Sequence, residues 1–288
     1  MTTDKPAQST ALKAKVQRYW NNTPCGVKNT PCEQGSQEFY EEIQKYRYSM
    51  EPHIPRVAEF DRHAGNRVLE VGCGLGTDGQ QFARGEARYF GCDLSIRSVE
   101  LARRGFDVFE LPGAFMCTDA ENLPFRRGTF DVAYSNGVLH HSPDTDRAIR
   151  EVHRVLARDG KAIIMLYARS FTFLASAHVL GRIRLERTRR RMGHEAFNRF
   201  VGLPLEHAGW LPEWVVINNS TDGVGNPHSK LYSAAQVRRA FSDFRSVRLE
   251  KHFFPRNKLP IIGSWMPARL AYLLGRVMGC FWIIKAIK

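Results

Sequence analysis

The sequence predicts an α/β fold built on a doubly wound, mostly parallel sheet of seven strands, on three observations. Apolar strand-like runs alternate with helix-like runs between Arg67 and Tyr167, the first strand opens directly into a glycine-rich turn, and two more strand-like runs follow near the C-terminus. Strands alternating with helices are the pattern of parallel βαβ units.

The elements follow in order. Residues 1–10 read as disordered, and 11–20 as a short helix whose apolar side ends in Tyr19 and Trp20. A turn-rich stretch over 21–35 precedes a segment, 36–60, that places Phe39, Ile43, Tyr46 and Met50 at helical spacing, with Ser36 as N-cap and Pro52 ending the pattern. Residues 67–71 (RVLEV) are a buried strand running into Gly72-Cys73-Gly74-Leu75-Gly76-Thr77-Asp78 and a helix to Arg84. A second unit has its strand over 88–92, Asp93 at the carboxyl end, and a helix over 96–104. Strands at 115–117, 129–134 and 161–167 follow, with a helix over 144–157 before the last of these. Beyond an insertion of irregular composition, 245–254 and 279–286 complete the count. The organisation is therefore a helical lid (1–60), a core (61–167), a substrate-side insertion between strands five and six (168–243), and C-terminal strands and a helix that complete the sheet (244–288).

A chain of 288 residues, 43% hydrophobic, buries a substantial core as one α/β domain with added segments. The net charge of +13 bears on partners rather than on fold and admits nucleic acid, anionic lipid or acidic small molecules. Six cysteines without a CxxC pair point away from a zinc site, so no metal is expected, and toward reduced thiols in a cytoplasmic protein. The polar N-terminus lacks a signal-peptide pattern, and no run is long and uncharged enough to span a bilayer.

Gly72, Gly74 and Gly76 allow a tight turn after a strand and close approach of backbone amides to a ligand. Asp93, ending the next strand, is placed to accept the hydroxyls of an adenosine ribose. A dinucleotide GxGxxG fingerprint would need its third glycine at position 77, where the chain has Thr77. The pattern GxGxG preceded by Glu70 makes a nicotinamide cofactor the weaker reading.

The runs VLEVGCGLG, FGCDLS, CTDAENLPF, FDVAYSNGVLHH and EVHRVLARDGKAIIMLY resemble, in order, the motifs of class I S-adenosylmethionine (SAM)-dependent methyltransferases. The branch of quinone-biosynthesis and natural-product enzymes is the most similar. The resemblance covers residues 67–167 and implies a Rossmann-like core, SAM as cofactor with S-adenosylhomocysteine as product, and an antiparallel last strand. It further implies that Gly72, Cys73, Gly74 and Gly76 pass beneath the methionine part of SAM, that Glu70 organises that loop and that Asp93 holds the ribose. Asp119 and Ala120 would read the adenine, Leu94 would pack on its face, and Ser135, Asn136 and Gly137 would lie near the sulfonium. His140 and His141 would stand where donor meets acceptor, as candidates for a base.

Other readings stand beside these. The histidine pair serves either catalysis or the capping of backbone groups, and Cys73 reads as a small packing residue rather than a nucleophile. Tyr19, Trp20, Tyr46 and Arg47 of the lid, with Tyr40 and Tyr48, either cover the acceptor or pack the lid on the core. His228, in a turn-rich stretch over 221–228, reads as part of a loop over the site. The basic run of Arg182, Arg184, Arg187, Arg189, Arg190 and Arg191 is either a solvated helix face or a contact for anionic membrane. Residues 259–278, from Leu259 to Met278, are either an amphipathic helix at a membrane surface or a packing helix. The expected function is methyl transfer to a small or lipid-like acceptor in the cytoplasm, with peripheral membrane contact. The competing functions are nucleic-acid methylation and a non-catalytic SAM-binding scaffold. Against the former, strand four is followed by Ser135-Asn136-Gly137-Val138 in place of an Asn/Asp-Pro-Pro-aromatic motif.

Overall fold

The structure, a computed structural model, describes residues 5–254 and 265–288. Seven strands form one sheet in the order β3-β2-β1-β4-β5-β7-β6. They are β1 (Arg67–Val71), β2 (Arg88–Asp93), β3 (Ala114–Cys117), β4 (Phe130–Asn136), β5 (Leu156–Tyr167), β6 (Ser246–His252) and β7 (Phe281–Ile287). The first five pair in parallel, and β7 inserts antiparallel between β5 and β6. The expected class I methyltransferase topology is therefore present. Strand β1 lies between β2 and β4 and is covered on both faces, which is why it reads as a nearly unbroken apolar run.

The helices are α1 (Lys5–Asn22), α2 (Gln37–Met50), α3 (Ile54–Ala58), α4 (Thr77–Arg84), α5 (Ile96–Val108), α6 (Thr145–Val155), α7 (Phe171–Ser176), α8 (Arg182–Met192), α9 (His194–Val201), α10 (Glu213–Ser220), α11 (Ala234–Ala240) and α12 (Ala268–Met278). Ser36 caps α2 as expected, its hydroxyl accepting from the Phe39 N–H at 3.2 Å. Ser95 caps α5 in the same way, accepting from the Ser98 N–H at 3.1 Å.

Several boundaries differ from the sequence reading. Helix α1 begins at Lys5, so residues 5–10 are helical rather than disordered; Pro6 is no obstacle, because the first turn has no intrahelical use for its missing N–H. Residues 1–4 lie outside the described residues. Helix α5 continues to Val108 because Phe106 belongs to the core facing β2. Helix α6 stops at Val155, and β5 starts at once at Leu156, turning through Asp159 at a φ of 63°. The insertion is mainly helical, in α7 to α10, around a core of Phe173, Leu185, Phe197, Leu211 and Val215. In the 259–278 piece a helix spans Ala268–Met278, and 259–264 lie outside the described residues.

The central core joins β1, β4, β5 and β7 to α6 and α11, with Leu69, Ala133, Ile164 and Ile284 fully buried. Ile284→Ala would leave a cavity next to both β5 and β6. We expect it to cost about 2–5 kcal/mol in a urea unfolding titration; a cost below about 1 kcal/mol would contradict this placement of β7.

Candidate functional site

In a sheet of this order the chain turns to opposite sides on leaving β1 and β4, which opens a crevice at the strands' carboxyl ends. A cavity of about 480 Å³ lies there, well within the range of small-molecule sites, roughly 300–1,000 Å³. Its walls come from the residues that follow β1 (Gly72–Leu75), β2 (Asp93, Leu94), β3 (Thr118–Glu121) and β4 (Asn136–Val138).

The glycine loop is shaped by close approaches. The N–H groups of Gly72 and Cys73 both donate to the Cys92 carbonyl, at 2.7 and 2.9 Å. Gly72 has a φ of 81°, and a Cβ there would lie 2.2 Å from Val138, so only glycine fits. Gly74 has a φ of 52° and nothing within 4 Å of a Cβ position, and it lines the open cavity. The Asp93 carboxylate is fixed by the Gly74 N–H on Oδ2 (3.0 Å) and the Ser95 N–H on Oδ1 (2.8 Å). Each oxygen keeps a lone pair for a hydroxyl. Burial raises the Asp93 carboxyl above its ordinary range against the pull of these N–H groups. Glu70 accepts from the Tyr89 hydroxyl at 2.5 Å and is pushed well up by burial, with the charge of Asp78 adding to it.

Asp78, in the first turn of α4, is the most heavily partnered carboxylate of the cavity wall. Arg47 donates to both its oxygens (2.9 and 2.6 Å), and the hydroxyls of Tyr48 and Tyr134 donate at 3.1 and 2.8 Å. Burial alone would lower the Arg47 pKa, but Asp78 beside it raises it well above the ordinary value.

Helix α1 crosses the opening. Lys13 reaches Asp119 and Glu121, each at 2.6 Å, Gln17 donates to the Leu94 carbonyl at 3.1 Å, and Ser95 donates to the Trp20 carbonyl at 3.4 Å. The Trp20 ring meets His141 edge-on at 5.3 Å. His141 Nδ1 lies 2.6 Å from the His228 carbonyl and so carries the proton in the neutral ring. Its Nε2 has no hydrogen-bond partner and stands 3.7 Å from Asp222. Asp222 is itself oriented by the Tyr167 hydroxyl, which donates at 2.8 Å, and by Asn226 at 3.3 Å. Burial, then Asp222, raises the Tyr167 phenol well above its usual range, which keeps it a donor.

Of the residues expected at the site, Trp20, Tyr46, Arg47, Glu70, Gly72, Cys73, Gly74, Asp93, Leu94, Asp119, Ala120, Asn136, Gly137 and His141 line the cavity. Five do not. Gly76 turns the chain into α4, its N–H donating to the Cys73 carbonyl at 2.8 Å. Ser135 is buried and ties β4 to β1 by donating to the Val71 carbonyl at 2.8 Å. Tyr19 donates to the Asp222 carbonyl at 2.7 Å, and His228 supports His141 through its own carbonyl. His140 is fully buried with its ring 3.8 Å from that of Tyr167, and burial, followed by the neighbouring His141, holds it neutral far below its usual range. Sequence reasoning assigned no role to Lys13, Glu51, Asp78, Tyr167 or Asp222, all of which line the cavity. Asp222 stands in a turn-rich stretch already suspected of covering the site, and Asp78 directly follows the glycine loop; Lys13 and Glu51 carry no comparable signal. Among the described residues, no group of three or more His, Cys, Asp or Glu could hold a metal ion.

Residues 69–164 match the family model described as a methyltransferase domain. Over 120 residues the chain is 38% identical to a probable tRNA methyltransferase 9B of Mus musculus, a match to 40% of this chain and 25% of that protein. Over 109 residues it is 33% identical to a demethylmenaquinone methyltransferase of Thermobifida fusca, covering 38% of this chain and 46% of the relative. The chain thus spans less than half the length of these relatives. Its fold is similar to that of an S-adenosylmethionine-dependent methyltransferase of Mesorhizobium loti, with a TM-score of 0.53 and 19% identity over 82% of this chain and 97% of that one. Residues 69–164 thus carry a methyltransferase domain, and the fold around it is similar to that of a SAM-dependent methyltransferase. The domain and this fold imply SAM as cofactor, and the residues present fit it: Gly74 leaves an open cradle and Asp93 offers two free lone pairs in a cavity of suitable size.

Arg47→Ala would leave the buried Asp78 carboxylate without its cation. Thermal or urea unfolding should show a loss of about 3–5 kcal/mol, whereas a loss under about 1 kcal/mol would mean that α2 is not anchored by this pair.

Proposed function

We propose that the chain transfers the methyl group of SAM to a small or lipid-like acceptor, leaving S-adenosylhomocysteine. One observation supports this most: a single cavity is lined by Gly74, Asp93 and Asp119 and also, at the adjoining ends of β5, β6 and β7, by the apolar side chains of Met165, Phe253 and Phe281. Donor and acceptor would share one enclosure, and the apolar end suits a hydrophobic acceptor.

When bound, SAM supplies an electrophilic methyl group on a sulfonium. Asp93 would hold the ribose, Asp119 and Ala120 the adenine, and the loop from Gly72 to Gly74 the methionine part. Asn136 and Gly137 would lie beside the sulfonium. Alignment of the partners and exclusion of water are the main work of such a site. Where the acceptor atom carries a proton, His141 Nε2 would take it, and Asp222 would steady the resulting imidazolium. Tyr167 and the His228 carbonyl would hold this pair in place. A lipid-like acceptor would be collected through peripheral contact with an anionic membrane. Among the described residues no helix is long and apolar enough to cross one.

A second reading, methylation of nucleic acid, is favoured by the similarity to the probable tRNA methyltransferase of the mouse and by the charge of +13. The apolar acceptor end and the missing Pro-Pro-aromatic motif after β4 favour the first.

Isothermal calorimetry tests the cofactor site: Asp93→Ala should weaken SAM binding at least tenfold, about 1.4 kcal/mol, and unchanged affinity would refute it. With labelled SAM, transfer to extracted lipids or quinone-like phenols supports the first reading, and transfer to tRNA alone supports the second. His141→Gln should abolish turnover while SAM affinity stays within twofold; retained turnover would remove His141 as the base.

A further inference from the structure

We propose that two adjoining helical surfaces, on α7–α8 and α12, form a docking face for an anionic phospholipid bilayer beside the acceptor end of the cavity. The proposal rests on the lipid-like acceptor reading and names the surface by which such an acceptor would be reached.

Helices α7 and α8 are joined by a π-helical turn over Ala177–Gly181. Along them, Phe171, Ala175, Val179, Ile183, Arg187 and Arg191 follow one another at four-residue spacing. This row is apolar in its first part and cationic in its last. Phe171 is 78% exposed and Val179 59%, Ile183 is also exposed, and both arginines are in solvent. On α12, Leu270, Leu273 and Val277 repeat at helical spacing, with Leu273 61% and Val277 72% exposed, and Trp265 just before the helix is 84% exposed. Nothing in the described residues covers either row.

The two surfaces are neighbours. Thr172, next to Phe171, donates from Oγ1 to the Met278 carbonyl, one residue beyond Val277. They also adjoin the cavity wall. Gly275 of α12 lies against Phe253, where a Cβ would come within 3.2 Å of the Phe253 nitrogen, and the Cys280 N–H donates to the Phe253 carbonyl at 2.9 Å. Phe253 stacks on Phe281 at 4.5 Å, and both line the acceptor end of the cavity.

Charge selects the partner. Arg182 and Arg189 are taken up by the fold: Arg182 lies over the Trp210 ring at 4.7 Å, and Arg189 donates to the carbonyls of Gly209 and His207, each at 3.0 Å. Arg184, Arg187, Arg190 and Arg191 are exposed, and none is paired with a carboxylate among the described residues. Exposed aromatic and aliphatic tips beside unpaired arginines match the interface of an anionic bilayer, which receives apolar side chains between headgroups and arginines at phosphates. A second copy of this chain is the poorer occupant, because apposing like faces would bring these arginines together.

The test is sedimentation of the full chain with vesicles of phosphatidylcholine alone and of phosphatidylcholine with phosphatidylglycerol. The native chain should bind the mixed vesicles at least tenfold more strongly, with binding that weakens as salt rises. The double substitution Leu273→Glu with Val277→Glu should lose binding to both, and Arg187→Glu with Arg191→Glu should lose the preference for anionic lipid. All these residues lie outside the cavity lining, so SAM affinity should stay native and serves as the fold control; if the double glutamate variant fails that control, Phe171→Ser gives the same reading. A native chain that binds SAM but not vesicles, or variants that bind vesicles as the native chain does, would overturn the docking face and leave the methyltransferase reading standing. A concentration-dependent dimer abolished by the same substitutions would also overturn it, in favour of a protein interface. Absent SAM binding, by contrast, would count against the function while vesicle binding is read independently.

Discussion

The carboxylate of Asp78 is the point at which three elements distant in sequence meet. It stands in the first turn of α4 directly after the glycine loop, receives Arg47 and Tyr48 from α2, and receives the Tyr134 hydroxyl from β4. A buried charge with full hydrogen bonding adds little net stability over an apolar replacement, yet it is very costly to leave half-made. That asymmetry suits a device that sets position: α2 has one seating on the core in which all four donors reach the carboxylate. The same charge reaches Glu70 and contributes to its upward shift, so the network extends from α2 to the strand that feeds the loop.

From that anchor the rest of the enclosure follows. With α2 seated, Ile43, Tyr46, Arg47 and Met50 face the cavity from one side, while α1 bridges its opening with Lys13 at Asp119 and Trp20 at His141. The contacts of α1 differ in kind from those of α2. Lys13 and Asp119 are both part-exposed, so that pair is screened by solvent and salt, whereas the Glu121 carboxylate is buried. The bridge also keeps the Asp119 carboxylate in place through one oxygen and the Glu121 N–H through the other, each with a lone pair left over.

What the sequence discloses and what it hides divides along physical lines. The strands from β1 to β5, the glycine loop and Asp93 are local features: an apolar run, a turn only glycine can make, and a carboxylate at a strand end are written within a few neighbouring residues. The antiparallel insertion of β7 was legible only through the family resemblance, because register between β5 and β7 spans more than a hundred residues. Asp222 and Tyr167 meet His141 through contacts between distant segments, and no spacing in the sequence announces them. The paired histidines show the limit most clearly. Adjacent in sequence, His140 and His141 lie in one short helical turn that sends the first ring into the core against Tyr167 and the second to the cavity. The basic run divides for the same reason, since helix periodicity and packing turn Arg189 inward and leave Arg187 and Arg191 outside.

The charge distribution gives the composition a meaning that the net value conceals. A chain of +13 builds a cavity whose lining carries Glu51, Glu70, Asp78, Asp93, Asp119, Glu121 and Asp222 against only Lys13 and Arg47. Burial raises Glu51, Glu70 and Asp93 above their ordinary ranges, so the cavity opposes the ionisation of these groups. A sulfonium or an ammonium entering the cavity would favour the ionised forms of the same groups that the empty site disfavours, so binding of a cationic ligand and ionisation of its cage reinforce each other. The surplus of positive charge, meanwhile, lies on the outside, where exposed arginines of α8 can act on anionic partners without opposing a cationic cofactor within. The two signs are thus separated, negative in the cavity lining and positive on the exposed face of α8.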